Sequence, residues 1–193
     1  MPRIAATDSR ERILDTASRL FYERGVHAVG VQEVIDACGC GKNLLYREFP
    51  SKDDLHLAYL QRQRQEWEVK FAATIEPHIG DPTRQLLAVV RCAVDETADP
   101  EFHGCPFAKS NAEYPDESHP VHQAAKEQRT ALLTRIGAIS QQTGAHNPEA
   151  LAARIVLILD GISTNGAILG GTGAASIALD FAEETIQRAL SNA

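Results

Sequence analysis

The sequence predicts an all-α protein of about nine helices, in which a three-helix head precedes a larger helical body. Apolar residues recur at helical spacing along most of the 193 residues. The one β-branched cluster, Ile155, Val156 and Ile158, lies inside a longer helical pattern and therefore does not predict a strand. Prolines and glycines interrupt the pattern at intervals typical of helix ends.

The head is predicted from three helices. The first covers about residues 8–24, carries Ile13, Ala17 and Phe21 on one face, and ends at Gly25. Two short helices follow, at about 31–37 and 41–48, with a tight turn through Gly39 between them. This succession predicts a homeodomain-like helix-turn-helix domain over residues 1–52.

The body is predicted to extend over residues 53–193. Its helix starts and stops are marked by Ser51, by Asn147-Pro148 and by the glycines after Leu169. Four prolines divide the segment 99–121 into short pieces. The long helices are expected at about 52–75, 82–97, 120–143, 148–169 and 174–190.

Charge is distributed unevenly. Residues 1–52 hold eight Lys or Arg against seven Asp or Glu, while residues 53–193 hold eleven against nineteen. The head is therefore +1 and the body −8, within a net charge of −7. An acidic body repels DNA from the wrong faces, so this asymmetry is compatible with DNA binding by the head.

Several classes of protein are disfavoured. The polar first ten residues do not form a signal peptide, and the apolar stretch 155–169, which contains Asp160, is too short for a bilayer, so we expect a cytoplasmic protein with no membrane association. The four cysteines are irregularly spaced, which disfavours a disulfide framework. Because no nucleophile–base pattern, metal quartet or phosphate loop occurs, we expect neither an enzyme nor a cofactor.

The second short helix carries side chains suited to reading DNA. Lys42 and Arg47 can bind phosphates or guanine, Asn43 can pair with adenine, and the Tyr46 hydroxyl can reach a phosphate. Lys52 stands at a helix start, where backbone amides attract phosphate. Gln32 on the preceding helix is a further phosphate contact. These six residues are the predicted DNA-binding site.

These residues lie in a longer pattern that resembles the tetracycline-repressor (TetR) family. It comprises Arg12-Ile13-Leu14, Ala17, Leu20-Phe21, Gly25 and Gly39, and then the run from Leu45 to Leu55. A second pattern over about residues 102–122, including Gly104-Cys105-Pro106-Phe107 and Glu113, is similar to one subset of that family. The resemblance implies a homodimeric transcriptional regulator, a repressor released from a palindromic operator by a small molecule.

The head departs from the family pattern at two positions. Gly30 stands where a threonine usually opens the second helix, and Gly41 stands where a serine is usual. The head that would read DNA, residues 1–52, is called the reading head below. It therefore lacks two hydroxyl groups that the family pattern usually contains. The alternative interpretation is therefore a helical protein-interaction module whose head has lost DNA binding.

The resemblance also implies a ligand pocket and a dimer interface in the body. Aromatic and amide side chains are predicted to line the pocket: Trp67, Phe71, Phe107, Asn111 and Asn165. The last two long helices carry wide apolar stripes with small residues, which predicts dimerisation through Ile155, Leu159, Ile162, Gly166, Ile177 and Phe181. In both cases the alternative is ordinary core packing.

Two further clusters carry reactive or metal-binding side chains. Cys38 and Cys40 flank the predicted turn and are either a redox switch or small packing residues. His103, Cys105, Glu117, His119 and His122 have metal-ligand side chains, but Pro120 and their irregular spacing disfavour a metal site, and none is predicted.

Overall fold

The computed structural model describes the backbone of residues 6–191 and the side chains of residues 9–191. These residues form nine α-helices and three short 3₁₀ turns, and they include no β-strand, which confirms the all-α class. The helices are α1 Ala6–Arg24, α2 Val31–Cys38, α3 Lys42–Glu48, α4 Lys52–Ile75, α5 Pro82–Glu96, α6 Pro106–Glu113, α7 Pro120–Gln142, α8 Pro148–Leu169 and α9 Ala178–Ser191.

Local capping explains several helix ends. Before α4, Ser51 Oγ accepts the backbone N–H of Asp54 at 3.0 Å and donates to the Asp54 carboxylate at 2.6 Å. Before α8, the Asn147 side chain accepts the backbone N–H of Ala150 at 2.9 Å. The last helix begins at Ala178, four residues after the predicted start, because Ala174–Ile177 form a 3₁₀ turn.

The chain divides into two compact units. The first contains the chain up to Gln65 together with Pro106–Lys126, and the second contains Glu66–Cys105 and the chain from Glu127 onward. This division does not coincide with the expected boundary after Lys52. The first half of α4, all of α6 and the start of α7 belong with the helix-turn-helix head.

The first unit has a core built by α1, α2, α3 and α4. Ile13, Ala17 and Phe21 of α1 are buried, as the apolar spacing of that helix predicted. Phe21 packs edge-on against Tyr59 of α4, with ring centroids 6.0 Å apart. Arg62 of α4 makes ion pairs with two carboxylates of α1.

The second unit has its own core, in which α5, α8 and α9 pack on one another. Leu86 of α5, Leu151 and Ile155 of α8 and Ile186 of α9 are almost completely buried. Phe71, from the second half of α4, and Ile136 of α7 belong to the same cluster. This core holds α8 and α9 side by side.

Helix α8 corrects one expectation. By length and composition, the segment Pro148–Thr172 is apolar enough to cross a bilayer, contrary to the estimate from residues 155–169. Within the protein, 39% of the most apolar window is buried, and a single helix of this length and composition is weak evidence for a membrane span, because core helices pass the same test. The composition of α8 therefore reflects packing against α5 and α9 on one side and an exposed apolar stripe on the other.

Candidate nucleic-acid interface

Helices α2 and α3 meet at a tight turn. Gly39 has φ 63° and ψ 31°, a left-handed conformation that favours glycine. Its N–H donates to the Asp36 carbonyl at 3.3 Å, and the Cys40 N–H donates to the Ile35 carbonyl at 3.2 Å. The turn thus ends α2 and joins it to α3 through a short link.

The buried side of α3 determines which side chains face outward. Leu45 and Phe49, just beyond the helix end, are each only 1% exposed and anchor α3 in the core of the head. Arg10 of α1 stacks on the Phe49 ring at 4.1 Å and donates to the Glu48 carbonyl at 2.8 Å. Because the side of α3 that carries Leu45 packs into the core of the head, the opposite side of the helix is exposed to solvent.

That exposed face carries four of the predicted DNA contacts: Lys42, Asn43, Tyr46 and Arg47. Tyr46 is 40% exposed, so its ring is not part of the buried core. The Lys42 ammonium lies 6.0 Å from the Tyr46 ring centroid. Arg47 donates from Nε and Nη2 to Glu48 Oε1, at 3.0 and 2.7 Å, which orients the guanidinium beside the helix. Two cations, an amide and a phenol therefore share a single turn and a half of helix.

The other two predicted contacts lie on neighbouring helices. Gln32 is exposed on α2 and donates to the Asp36 carboxylate at 2.9 Å. Lys52 is partly buried at the first position of α4, next to the Ser51–Asp54 cap. Both are compatible with phosphate contacts, which position a protein on DNA without reading sequence.

The two reading-head glycines occupy helix starts. Gly30 and Gly41 are the N-cap residues of α2 and α3, and both have extended backbone dihedrals that any residue can adopt. A Cβ built on either would have no heavy atom of the described residues within 4 Å, apart from chain neighbours and the adjoining helix backbone. Packing within the head therefore does not explain why glycine stands at these two positions.

Sequence reasoning missed the contacts that α6 makes with the head. Lys109 donates to the Tyr22 carbonyl at the end of α1, and Glu113 accepts the backbone N–H groups of Val26 and His27 in the loop before α2. In the sequence, Glu113 is only one member of the pattern over residues 102–122, and no local signal indicates its partners, which are more than 80 residues away.

The predicted pocket residues are divided between the two units. Phe107 is buried and Asn111 is exposed in the first unit. In the second unit, the rings of Trp67 and Phe71 lie 5.0 Å apart, and the Arg135 guanidinium lies over both at 5.7 and 5.6 Å. Asn165 lies elsewhere in the second unit, where it lines a groove between α8 and α9.

The predicted dimer residues are also divided. Ile155, Ile162 and Gly166 are buried in the core of their own chain, and Leu159 is partly buried against it. A Cβ at Gly166 would overlap Thr97. Ile177 and Phe181 are 64% and 57% exposed. These two line the α8–α9 groove of about 640 Å³, together with Arg154, Leu157, Ile158, Gly161, Ile162, Asn165, Ala174, Ala178, Thr185 and Arg188.

The residues considered for metal binding do not form a cluster in the described part of the chain that could hold an ion. His119 instead pairs with Asp53 at 3.4 Å, and its Nδ1 accepts the backbone N–H of Val121 at 3.2 Å. His122 Nδ1 is 3.1 Å from the Tyr114 carbonyl oxygen. These side chains tie the start of α7 to the first unit.

Comparison with known proteins places this geometry in a family. A family model described as bacterial regulatory proteins of the tetR family matches residues 13–59. The chain is similar to the crystal structure of a TetR-family transcriptional regulator from Streptomyces coelicolor, with 31% identity, coverage of 95% of this chain and 97% of that chain, and a TM-score of 0.91.

The chain is also similar in sequence to curated bacterial transcriptional regulators. The HTH-type transcriptional regulator LmrA of Bacillus subtilis is 29% identical over 154 residues, which are 78% of this chain and 80% of LmrA. An uncharacterized HTH-type transcriptional regulator of Mycobacterium tuberculosis is 41% identical over 71 residues, so this match covers about a third of that relative, 35% of its length. The helix-turn-helix, the all-helical fold and these similarities together establish that the chain belongs to the TetR family of bacterial transcriptional regulators.

Proposed function

We propose that this regulator is a homodimeric repressor that binds a palindromic operator through α3 and is released by a small molecule. The observation that carries the proposal is the exposed face of α3, on which Lys42, Asn43, Tyr46 and Arg47 lie together above a firmly buried Leu45. Rigid support for an exposed polar face is what base recognition in the major groove requires.

Dimerisation is proposed to use the exposed stripe of α8 and α9. Leu157, Ile168, Ile177 and Phe181 are each more than half exposed, although they are large and apolar. A contiguous apolar surface of this kind is unfavourable in water and marks an interaction surface. A two-fold dimer would present two α3 helices to major grooves about 34–36 Å apart, as a palindromic operator requires.

The effector is proposed to act through the body. The Trp67–Phe71 pair, covered by the Arg135 guanidinium, supplies apolar surface next to a cation and is the proposed effector contact within the second unit. The dimer is proposed to exist in a state that fits the operator and a state that does not. An effector that binds the second state more tightly shifts the equilibrium between them by its difference in affinity. We place the protein in the cytoplasm, where its operator lies.

The test is operator binding by variants of α3. Genomic fragments selected by the wild-type protein would be titrated with Lys42→Ala and Arg47→Ala at two salt concentrations. Each variant should bind at least about tenfold more weakly, and the slope of affinity against salt should fall by about one for each phosphate contact removed.

Arg84→Ala is the matched control, because Arg84 is an exposed arginine on α5 outside the reading head. It should bind like the wild type, and all three variants should remain dimeric. Equal binding by all three variants would contradict the role of α3. A wild-type protein that selects no DNA at either salt concentration would favour the alternative, a protein-interaction module.

A further inference from the structure

The turn of the reading head contains two thiols separated by one residue, Cys38 and Cys40. Neither is in a disulfide bond. Gly39 between them has φ 63° and ψ 31°, the mirror image of helical dihedrals. Helix geometry of either hand places the Cα atoms on the two sides of such a residue about 5.4 Å apart, which lies within the range that disulfides span.

The two thiols also influence each other. Cys38 contributes to the raised pKa of the Cys40 thiol, and Cys38 Sγ donates to the Ile35 carbonyl oxygen at 3.5 Å. Cys38 is partly exposed, whereas Cys40 is only 9% exposed and packs in the head. One thiol is thus accessible to a small oxidant, whereas the second is buried on the other side of Gly39 in the chain.

A cation on α1 acts on the buried thiol. Burial and the neighbouring Cys38 raise the pKa of the Cys40 thiol to about 11, and the positive charge of Arg12 opposes that rise. Arg12 Nε is buried and has no hydrogen-bond partner among the described residues. A guanidinium beside a thiol stabilises the thiolate as its proton leaves.

We propose that Cys38 and Cys40 are a site of reversible oxidation, at which a hydroperoxide forms an intra-turn disulfide that weakens operator binding. The Cys38 thiol gives up its proton and its sulfur attacks the outer oxygen of the hydroperoxide, so that the O–O bond breaks and a sulfenic acid forms. The departing alkoxide, or hydroxide from hydrogen peroxide, takes up that proton and leaves as an alcohol or water. The Cys40 sulfur then attacks the sulfenic sulfur. The S–S bond forms, and the departing hydroxide takes the Cys40 proton as water.

Oxidation acts on α3 through the turn. The Cys40 side chain leaves its buried position to join Cys38, while its backbone N–H is bonded to Ile35 one residue before the N-cap Gly41. The start of α3 must therefore shift relative to α2. The ring closed by so short a loop is strained, and strained disulfides are readily reduced, which makes the change reversible.

The effect on operator binding rests on the proposed function, whereas the disulfide itself does not. The experiment uses the full chain with Cys92→Ser and Cys105→Ser, treated with hydrogen peroxide and then with dithiothreitol. Trypsin cleaves after Arg24 and Lys42, and residues 25–42 contain both cysteines and no internal cleavage site. This peptide should lose two hydrogen atoms in mass on oxidation and regain them on reduction.

Operator binding is measured on the same samples. Oxidation should weaken binding by about tenfold or more, the loss expected when a base contact is misplaced, and reduction should restore it. In a matched variant with Cys38→Ser, peroxide should leave binding unchanged. If the peptide keeps both thiols after oxidation, or forms disulfides only between chains, the proposed disulfide between Cys38 and Cys40 is wrong. If that disulfide forms but operator affinity does not change, its proposed effect on DNA binding is wrong. If the reduced protein binds no operator, the proposed function fails, while the peptide mass still decides the disulfide.

Discussion

Glu113 Oε1 accepts the backbone N–H of Val26 at 3.0 Å, so a carboxylate on α6 holds the loop between α1 and α2. The same carboxylate accepts the N–H of His27 at 2.5 Å. Gly25 makes this approach possible, since its φ is 86° and a Cβ there would lie 2.7 Å from Glu113 Oε1. Gly25, which follows α1, and Glu113, the last residue of α6, are therefore structurally dependent on each other although 88 positions separate them in the sequence.

Removal of the Glu113 carboxylate should destabilise the head. Glu113→Ala leaves two backbone N–H groups without their acceptor, and we expect a loss of about 1–3 kcal/mol in the free energy of unfolding. Glu113→Gln keeps one acceptor oxygen and should lose less. Urea unfolding of both variants measures the difference, and equal stability of Glu113→Ala and the wild type would show that the bond contributes nothing.

The stability of the protein should fall in acid because of His56. This histidine is fully buried, its Nε2 lies 2.8 Å from Ser110 Oγ, and burial lowers its pKa from 6.5 to about 4. The unfolded chain takes up the proton more readily, so the contribution is complete above about pH 6.5 and is lost as the pH falls towards about 4.

The shift corresponds to at most about 3 kcal/mol. His56→Gln can keep the hydrogen bond to Ser110 and does not titrate. Its unfolding free energy should therefore depend less on pH than that of the wild type across this range, as measured by urea titrations at several pH values. Identical pH dependence in both proteins would contradict the assignment.

A charge on the α8–α9 stripe should separate the proposed dimer. Phe181→Glu places a carboxylate on this apolar surface, and the free energy needed to desolvate the charge on dimerisation exceeds what the contact supplies, even with Arg154 and Arg188 in the same groove. Light scattering after gel filtration should show a monomer at concentrations where the wild type is a dimer. Val69→Glu is the control, because Val69 is 72% exposed on α4 outside the stripe and should not alter the mass. A dimeric Phe181→Glu protein would place the interface elsewhere.

Restoring a hydroxyl at position 41 should strengthen the reading head. Gly41 has φ −81° and ψ 149°, which serine adopts without strain, and a serine hydroxyl can accept an N–H of the first turn of α3. We expect Gly41→Ser to stabilise the protein by a few tenths of a kcal/mol, up to about 1 kcal/mol. Because a hydroxyl at the start of α3 can also donate to a DNA phosphate, operator affinity should rise a few-fold. Gly41→Ala, which fits the same backbone but adds no hydroxyl, is the control in both measurements. Equal affinities for the two variants would show that the hydroxyl makes no contact with DNA.

Local features of the sequence determined where the helices begin and end, and which face of α3 is exposed. The bounds of α4 and α8 follow from neighbouring residues, namely the Ser51 cap and Asn147-Pro148 at their starts, and for that reason they were predicted correctly. The outward face of α3 was equally predictable, since Leu45 and the polar residues around it leave only one orientation for a short amphipathic helix.

Only the tertiary structure decided which apolar side chains remain exposed and which distant residues meet. Helix α8 is apolar on most of its circumference, so periodicity alone did not distinguish the buried Ile155 from Leu157, which is 68% exposed. That distinction depends on where α5 and α9 pack. Likewise, the bond between Glu113 and Val26 joins residues far apart in the chain, and no local pattern encodes such a pair because its energy exists only once both elements have folded together.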